Sequence, residues 1–281
     1  MMNTNVDLHI HTICSDGSDD VPTLISLLHD AGIRTFSITD HDTVFGVGEA
    51  LEMTPPDMRF IPGVEFSCRT EKKNCHILGY GFAPDSEEIR AMVRKVSEMR
   101  RAKLELRISY LMNDRGIDLT KEEIADLRGR KSAGKPHLAK LIIKRGLAPD
   151  IATAIREYLD PCPRAVIRIA ADEAIAAILA AGGIPVWAHP LGGETDRRLT
   201  ETEFDDQLDL LRSFGIRGLE CHYSRYTAEN TAFLLGRAER FGLLVSGGSD
   251  YHGANKTVKL GQLNVEETPV IDSSLSLLSA L

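Results

Sequence analysis

Short apolar runs of strand length recur along this 281-residue chain, and several of them end in histidine, aspartate or glutamate. The runs cover residues 6–9, 34–39, 60–64, 184–188, 218–220 and 243–246. Helix-like stretches at 21–31, 172–181, 203–214 and 228–241 lie between them. Alternating strands and helices indicate an α/β fold with a parallel sheet, whose strand C-termini share one face. The polar strand ends are therefore expected to converge.

The middle of the chain does not continue this alternation of strands and helices but is a charged, helix-like run. We predict that residues 1–85 form the first part of a barrel, that residues 86–163 form a small helical insertion, and that residues 164–281 complete the barrel. A single long helix packed on the barrel and followed by a loop is the alternative for the middle segment.

Composition narrows the class of protein. A net charge of -8 argues against a binding surface for duplex nucleic acid, which would be basic. No apolar stretch approaches the roughly 18 residues of a membrane span, and no secretory leader is recognisable. The five scattered cysteines contain no C-x-x-C pair, which suits a reducing compartment. We expect a cytoplasmic protein that does not bind membranes, with a monomer as the default.

His9 and His11 form an H-x-H pair on the first predicted strand. Because side chains alternate along a strand, both imidazoles point to the same face. Two half-exposed polar residues would give the same pattern, so the pair alone does not identify a metal site.

Further donors follow the other strands. Asp16 lies in the turn CSDGSDD, His41 in TDHD and Glu65 in PGVEF. The remaining donors are His76 at the start of CHILGYGF, His189 in VWAHP, and Asp250 with His252 in a D-x-H after SGGS. Each alone is more often a hydrogen-bonded polar residue, but so many at strand ends predict a multi-metal site. Histidine and carboxylate donors suit Mn²⁺, Fe²⁺ or Zn²⁺, and nine ligands suit two or three ions, with a carboxylate such as Glu65 as a bridge.

The motifs D-L-H-I-H-T, S-D-G, T-D-H-D, P-G-V-E, H-P and G-S-D-x-H together resemble the PHP (polymerase and histidinol phosphatase) family over most of the chain outside the middle segment. The resemblance implies a distorted (β/α)7 TIM-like barrel, and within the family it points to stand-alone metal-dependent phosphoesterases, some of which carry a helical insertion.

The resemblance also implies how the ligands are shared. His9 and His11 would bind one metal with Glu65 and Asp250, and Glu65 would bridge to a second metal held by His76 and His189. Asp16, His41 and His252 would hold a third. Many family members have histidine in place of Asp16, so this position departs from the common pattern.

Four residues outside the ligand set are candidate substrate contacts: Lys135 and His137 in SAGKPHLA, and His222 and Arg225 in ECHYSRYT. In the family branch that the chain resembles, the insertion and the segment after the penultimate strand supply such contacts. Solvated charges at helix ends are the alternative for Lys135 and Arg225.

The expected reaction is attack of a metal-bridging hydroxide on phosphorus. His222 is a candidate acid for the leaving group, and Asp40 and Asp42 are expected to orient ligands. No phosphate-binding loop, nucleophile elbow or dinucleotide fingerprint occurs in a suitable setting.

The expected substrate is a small phosphorylated metabolite, either a phosphate monoester or a cyclic diester, such as a nucleotide 3′,5′-bisphosphate or a ribose cyclic phosphate. Three alternatives remain open at this point: a 5′–3′ exoribonuclease acting on short RNA ends, a metal-dependent amidohydrolase, and a non-catalytic regulatory module.

Overall fold

The computed structural model describes residues 4–130, 133–162, 168–193 and 197–281. The chain packs into two compact units, one of Met1–Val93 with Ile169–Leu281 and one of Arg94–Arg168. The limits expected for the insertion, 86–163, stay a prediction, and residue 163 lies outside the described residues. Among the described helices, none combines the length and apolar composition that a membrane span requires.

The first unit carries the strands. They are β1 Val6–Ile10, β2 Thr35–Ile38, β3 Arg59–Phe60, β4 Gly63–Arg69, β5 Asn74–Tyr80, β6 Ile169–Ala170, β7 Ile184–Trp187, β8 Gly218–Tyr223 and β9 Leu244–Gly248. Its complete helices are α1 Val21–Asp30, α2 Phe45–Met53, α7 Ala171–Ala180, α8 Glu201–Phe214 and α9 Ala228–Phe241. The helix α3, Glu87–Ser109, begins in this unit.

The second unit is helical. After α3 it contains α4 Lys121–Gly129, α5 Lys135–Lys144 and α6 Ile151–Ala154, with π-helical turns at Tyr110–Asp114 and Ile155–Leu159. Its own core is aliphatic and includes Leu111, Leu138 and Leu159, each fully buried. The unit therefore has the buried centre that independent packing requires.

The strands form two sheets, in the orders β1-β2-β3 and β6-β4-β5-β7-β8-β9, which are joined at both ends. A bridge between His41 and Glu65 links the end of β2 to β4. A second bridge links Ile10 to Tyr251, just after β9, and the Asp250 amide donates to the His9 carbonyl at 2.8 Å. The strands therefore follow one another around a distorted TIM-like barrel, as the family resemblance implied.

Strand β5 corrects the expectation of a parallel sheet, because it runs antiparallel to both β4 and β7. A tight hairpin closed by the Thr70 amide on the Lys73 carbonyl replaces the helical crossover that a parallel strand would need. The start of β5 consequently lies at the barrel face where the other strands end. This reversal places His76 among the strand-end residues.

Two strand limits also differ from expectation. Glu65 was expected just beyond a strand at 60–64, but it lies inside β4, where it pairs with Leu78 of β5. His222 was expected after a strand at 218–220, but β8 continues through it, with an irregular register between Glu220 and His222. In both cases pairing with a neighbouring strand extends the strand beyond its apolar run.

Gly248 is required where β9 approaches β1. A Cβ atom at this position would lie 2.2 Å from the His9 Cβ and 2.4 Å from the His9 nitrogen. Gly236, on the exposed side of α9, would meet no atom within 4 Å. The two glycines therefore form a matched pair.

We predict that Gly248→Ala lowers the free energy of unfolding by about 1–3 kcal/mol, because the added methyl group forces β1 and β9 apart. Gly236→Ala should raise it by up to about 1 kcal/mol, because alanine favours the helix. Urea unfolding followed by circular dichroism measures both, and equal stability of the two variants would contradict the packing described.

Candidate metal centre

The Glu65 carboxylate lies at the middle of the strand-end cluster and is only 1% exposed. Its Oε2 atom is 3.2 Å from Nε2 of His9, 3.2 Å from Nε2 of His11 and 3.1 Å from Nδ1 of His41. Its Oε1 atom is 2.8 Å from Nδ1 of His76 and 3.1 Å from Nε2 of His189. One carboxylate thus faces five imidazoles from four other segments of the barrel.

The remaining predicted ligands surround His11. Asp250 Oδ1 is 3.3 Å from His11 Nε2, and Asp16 Oδ1 is 3.3 Å from His252 Nε2. The rings of His11 and His252 stack with centroids 4.1 Å apart. The structure therefore brings all nine predicted ligands into one cluster.

Among the described residues, three groups of donors lie close enough together to share an ion. The groups are His11, Asp16, His41 and His252; His9, His11 and Asp250; and His41, Glu65 and His76. The first two agree in most members with the sets that the family resemblance implied. The third differs, since it contains His41 where His189 was expected, although His189 also contacts Glu65.

Apart from the types of the donor residues, the hydrogen bonding of the cluster also fits the binding of divalent ions. Within the described chain, His41 Nδ1 and Glu65 Oε2 are both buried without a hydrogen-bond partner, and they lie 3.1 Å apart. An unpaired buried nitrogen and carboxylate oxygen are costly, and binding to a common cation would satisfy both. Donors that bind one ion at about 2.0–2.2 Å are separated by a similar distance.

The electrostatics of the cluster favour ionised carboxylates. Burial alone would raise the pKa of Glu65, but the adjacent His41 and His9 hold that pKa well below its ordinary range. Burial opposes ionisation of Asp250 in the same way, but the hydrogen bond with His11 together with the nearby charges of His9, His11 and Lys256 outweighs it, so the pKa of Asp250 is also lowered. Both carboxylates are therefore negative at neutral pH, as cation binding requires.

Glu220 is a buried carboxylate that the sequence analysis did not single out. One of its oxygens lies 2.8 Å from Nδ1 of His9, and the other accepts the backbone N–H of His189 at 2.6 Å. A carboxylate on Nδ1 keeps the proton there and leaves Nε2 of His9 free to bind an ion. The signal was present, because a glutamate inside the buried strand GLECHY needs a partner as much as Glu65 does.

Hydrogen bonds to its Oδ2 atom, on the side away from the histidines, hold the Asp250 carboxylate in one orientation. Its Oδ2 atom accepts from the Tyr223 hydroxyl at 3.0 Å and from Lys256 Nζ at 2.8 Å, which leaves Oδ1 facing the histidines. The backbone at Asp250 has φ 60°, and Asp42 and His189 also have positive φ values. Strained residues of this kind concentrate where a fold fixes functional side chains.

Asp40 and Asp42 have contacts other than the histidine rings that they were expected to orient. Asp40 accepts from the amide and the hydroxyl of Thr12 at 2.8 and 2.7 Å and from the hydroxyl of Ser15 at 2.6 Å. Asp42 accepts the amide of Ser67 at 2.8 Å. Asp40 therefore anchors the loop that carries Asp16, and its predicted part in catalysis stays a prediction.

The predicted substrate contacts lie outside the three donor groups. His222 is half-buried on β8 and Arg225 is exposed in the turn after it. Lys135 and His137 belong to the first turn of α5 in the second unit, where Lys135 forms an ion pair with Asp160. Their roles in substrate binding stay predictions.

Replacing Glu220 tests whether it orients His9. In Glu220→Gln an amide NH₂ would face either the His9 ring or the His189 N–H, so we expect the affinity for divalent metal to fall about 10–100-fold. Titration calorimetry with Mn²⁺ measures the change, and Glu239→Gln on the exposed face of α9 is the control. Unchanged affinity in Glu220→Gln would show that Glu220 only packs.

Three relatives align with most of this chain. A 5′-3′ exoribonuclease from Haemophilus influenzae is 27% identical over 93% of this chain and 94% of its own length. A 3′,5′-nucleoside bisphosphate phosphatase from Chromobacterium violaceum is 26% identical over 88% of this chain and 87% of its own. A phosphoribosyl 1,2-cyclic phosphate 1,2-diphosphodiesterase from Eggerthella lenta is 28% identical over 88% of this chain and 94% of its own length.

Solved structures agree in fold. A protein from Bifidobacterium adolescentis, described as a metal-dependent phosphoesterase, superposes with a TM-score of 0.74 at 27% identity, covering 94% of each chain. A protein from Chromobacterium violaceum named as an amidohydrolase, crystallised with sulfate and without metal, gives a TM-score of 0.75 at 25% identity, covering 91% of this chain and 90% of its own.

The family profile of the PHP domain matches residues 7–166, which is more than half of the chain. The match contains the strand-end donors from His9 to His76, while His189, Asp250 and His252 lie beyond it and join the same cluster in space. With its profile match, its barrel and its histidine-rich centre in agreement, this chain belongs to the PHP domain family.

Proposed function

We propose that this chain is a metal-dependent phosphoesterase that hydrolyses monoesters or cyclic diesters of small nucleotide or sugar phosphates. The observation that carries the proposal is the Glu65 carboxylate, buried among five imidazoles with one oxygen lacking a hydrogen-bond partner. A nucleotide 3′,5′-bisphosphate and a ribose cyclic phosphate are the proposed substrates, supported by the activities named for the Chromobacterium and Eggerthella relatives.

Two or three ions, of Mn²⁺, Fe²⁺ or Zn²⁺, are proposed to occupy the cluster. His9, His11, Glu65 and Asp250 would hold one ion, Glu65 with His76 and His189 a second, and Asp16, His41 and His252 a third. His41 is close enough to Glu65 to serve the second ion as well. When bound, such ions lower the pKa of water and neutralise charge on phosphate oxygens.

The cluster is reachable from one side. The side chains of Asp16, His76 and His41 are 55%, 23% and 18% exposed, whereas those of His9 and His11 are fully buried. We infer that the phosphate group enters on the exposed side. The buried pair, oriented by Glu220 and Asp250, keeps the inner donors fixed and excludes water behind the reacting group.

His222 is proposed as a substrate contact, and its role as the proton donor stays a prediction. Burial lowers the pKa of His222, so its imidazole is neutral at pH 7. A neutral ring can donate a hydrogen bond to a phosphate oxygen but is a weak acid. Arg225, Lys135 and His137 remain proposed contacts, and Lys135 would have to exchange its ion pair with Asp160 for one with phosphate.

A 5′–3′ exoribonuclease acting on short RNA ends is the second candidate, favoured by the activity named for the Haemophilus relative. Both candidates use the same bond chemistry, so an RNA oligonucleotide belongs in the substrate panel. The amidohydrolase alternative is tested in parallel with amide substrates, because a structural neighbour carries that name.

Glu65→Gln should abolish most phosphate release. A neutral amide cannot replace the charge at the centre of five imidazoles, and we expect kcat/KM to fall at least about 100-fold, equivalent to about 2.7 kcal/mol of transition-state stabilisation. Phosphate release from adenosine 3′,5′-bisphosphate is the measurement. His29→Ala, which removes a half-exposed helix histidine, is the control and should retain activity.

Removing metal should remove activity reversibly. We expect dialysis against EDTA to abolish phosphate release and one of Mn²⁺, Fe²⁺ or Zn²⁺ to restore it, because the donors that bind the ions stay in place in a folded barrel. Full activity in protein shown to be metal-free by elemental analysis would contradict the proposed function.

A further inference from the structure

One of the three donor groups is built entirely from residues outside the strands. Each of the other two includes a strand residue, His9 on β1 or Glu65 on β4. We call the remaining group the loop donor group; its members are His11, Asp16, His41 and His252. Pairing with a neighbouring strand fixes a strand residue, whereas loops are generally more mobile. The donors of this group therefore depend on contacts that hold the loops themselves.

The ring of His252 is oriented within its own loop. Its Nδ1 atom lies 2.8 Å from the carbonyl oxygen of Asp250, which can only accept, so Nδ1 donates. In the neutral ring Nε2 then carries no proton, and it lies 3.3 Å from Oδ1 of Asp16. These two atoms can bind one ion together as long as the two loops keep this spacing.

Three hydrogen bonds join the loop of Asp16 to the loop of His252. The side-chain amide of Asn255 donates to the Asp16 carbonyl at 2.8 Å. The Ser18 amide donates to the His252 carbonyl at 3.1 Å, and the Ala254 amide donates to the Ser18 hydroxyl at 2.8 Å. We call these three bonds the loop contact. They tie the backbone of each donor directly to the loop of the other.

The two loops approach too closely for a side chain at Gly253, where φ is 63°. A Cβ atom there would collide with the Ser18 hydroxyl and lie 2.7 Å from a carboxylate oxygen of Asp19. The Tyr251 hydroxyl donates to the same carboxylate at 2.8 Å, which adds another bond between the loops. The spacing of the loops is therefore set by packing as well as by hydrogen bonds.

Ser18 and Asn255 act on this spacing from the surface. Both residues are exposed, and neither belongs to a donor group. The Asp16 side chain, which is 55% exposed, lies on the side where the phosphate is proposed to enter. Substitutions at Ser18 and Asn255 can therefore change the loop contact without opening the core of the barrel.

We propose that Ser18 and Asn255 are positioning residues that set the affinity of the ion bound by the loop donor group. This inference rests on the proposed function, which requires ions in the cluster. Donors that are already held at the right spacing lose little conformational freedom when an ion binds, whereas donors on separated loops must first be ordered. The other ions have donors on strands, so their binding depends less on this contact.

Calorimetric titration of metal-free protein with Mn²⁺ tests the inference. Asp16→Asn first identifies which binding step belongs to the loop donor group. We expect Ser18→Ala and Asn255→Ala each to weaken that same step about tenfold, the lower end of the effect of losing a residue that orients a metal ligand. The other steps should be little changed.

Two further variants separate positioning from a general loss of stability. Ser18→Thr keeps the hydroxyl that accepts the Ala254 amide, so it should bind Mn²⁺ as the wild type does. Ser276→Ala is the matched control, because the hydroxyl of this exposed serine accepts the amide of Val245, at the other end of β9, at 2.9 Å. It removes the same kind of bond and should leave every binding step unchanged.

Phosphate release gives a second readout. Ser18→Ala and Asn255→Ala should need about tenfold more Mn²⁺ for half-maximal activity and reach the wild-type rate in excess Mn²⁺, because the donors themselves are intact. Equal weakening of all binding steps, unchanged binding in both variants, or wild-type binding in Asp16→Asn would overturn the inference. Selective weakening of the one step in a protein that releases no phosphate would support the inference and contradict the proposed function.

Discussion

The burial of one carboxylate constrains the rest of this structure. An ionised glutamate with no compensating partners would cost several kcal/mol at the depth of Glu65, so the fold surrounds it with nitrogen atoms from β1, β5 and the segments after β2 and β7. The histidines are in turn oriented by other groups, such as the fully buried Glu220, which contacts His9. Removing a divalent ion from such a cluster would leave charges and lone pairs that protons alone satisfy poorly.

Closure of the barrel depends on a second buried acid. Asp7 accepts the amides of Ser249 at 2.9 Å and Gly261 at 2.8 Å, and burial raises its pKa to about 6. These bonds tie β1 to the segment after β9, next to the close approach at Gly248. Because His9 and Asp250 lie at this seam, the geometry of the centre and the stability of the barrel rest on the same contacts.

Sequence patterns predicted the barrel and the residues of its centre because short stretches of sequence carry the signals for both. His9 lies on β1 and His11 directly follows the strand, two residues on, and α9 covers the predicted residues 228–241. The direction of β5 was not predictable from periodicity, which is the same in parallel and antiparallel strands. Glu220 and the true partners of Asp40 were missed because they depend on contacts between segments 25 to 211 residues apart.

The hairpin of β4 and β5 also bears on the order in which the molecule assembles. Glu65 and His76 are separated by only 11 residues and meet through a tight turn, whereas the contact between His9 and Glu220 closes a loop of 211 residues. Local hairpins form in microseconds, and long loops close late. One carboxylate–imidazole pair can therefore exist in a chain that is still being synthesised, while the final ligands arrive only with the last strand. A complete set of donors therefore exists only after the two ends of the barrel have joined, through contacts such as that of the Asp250 amide with the His9 carbonyl.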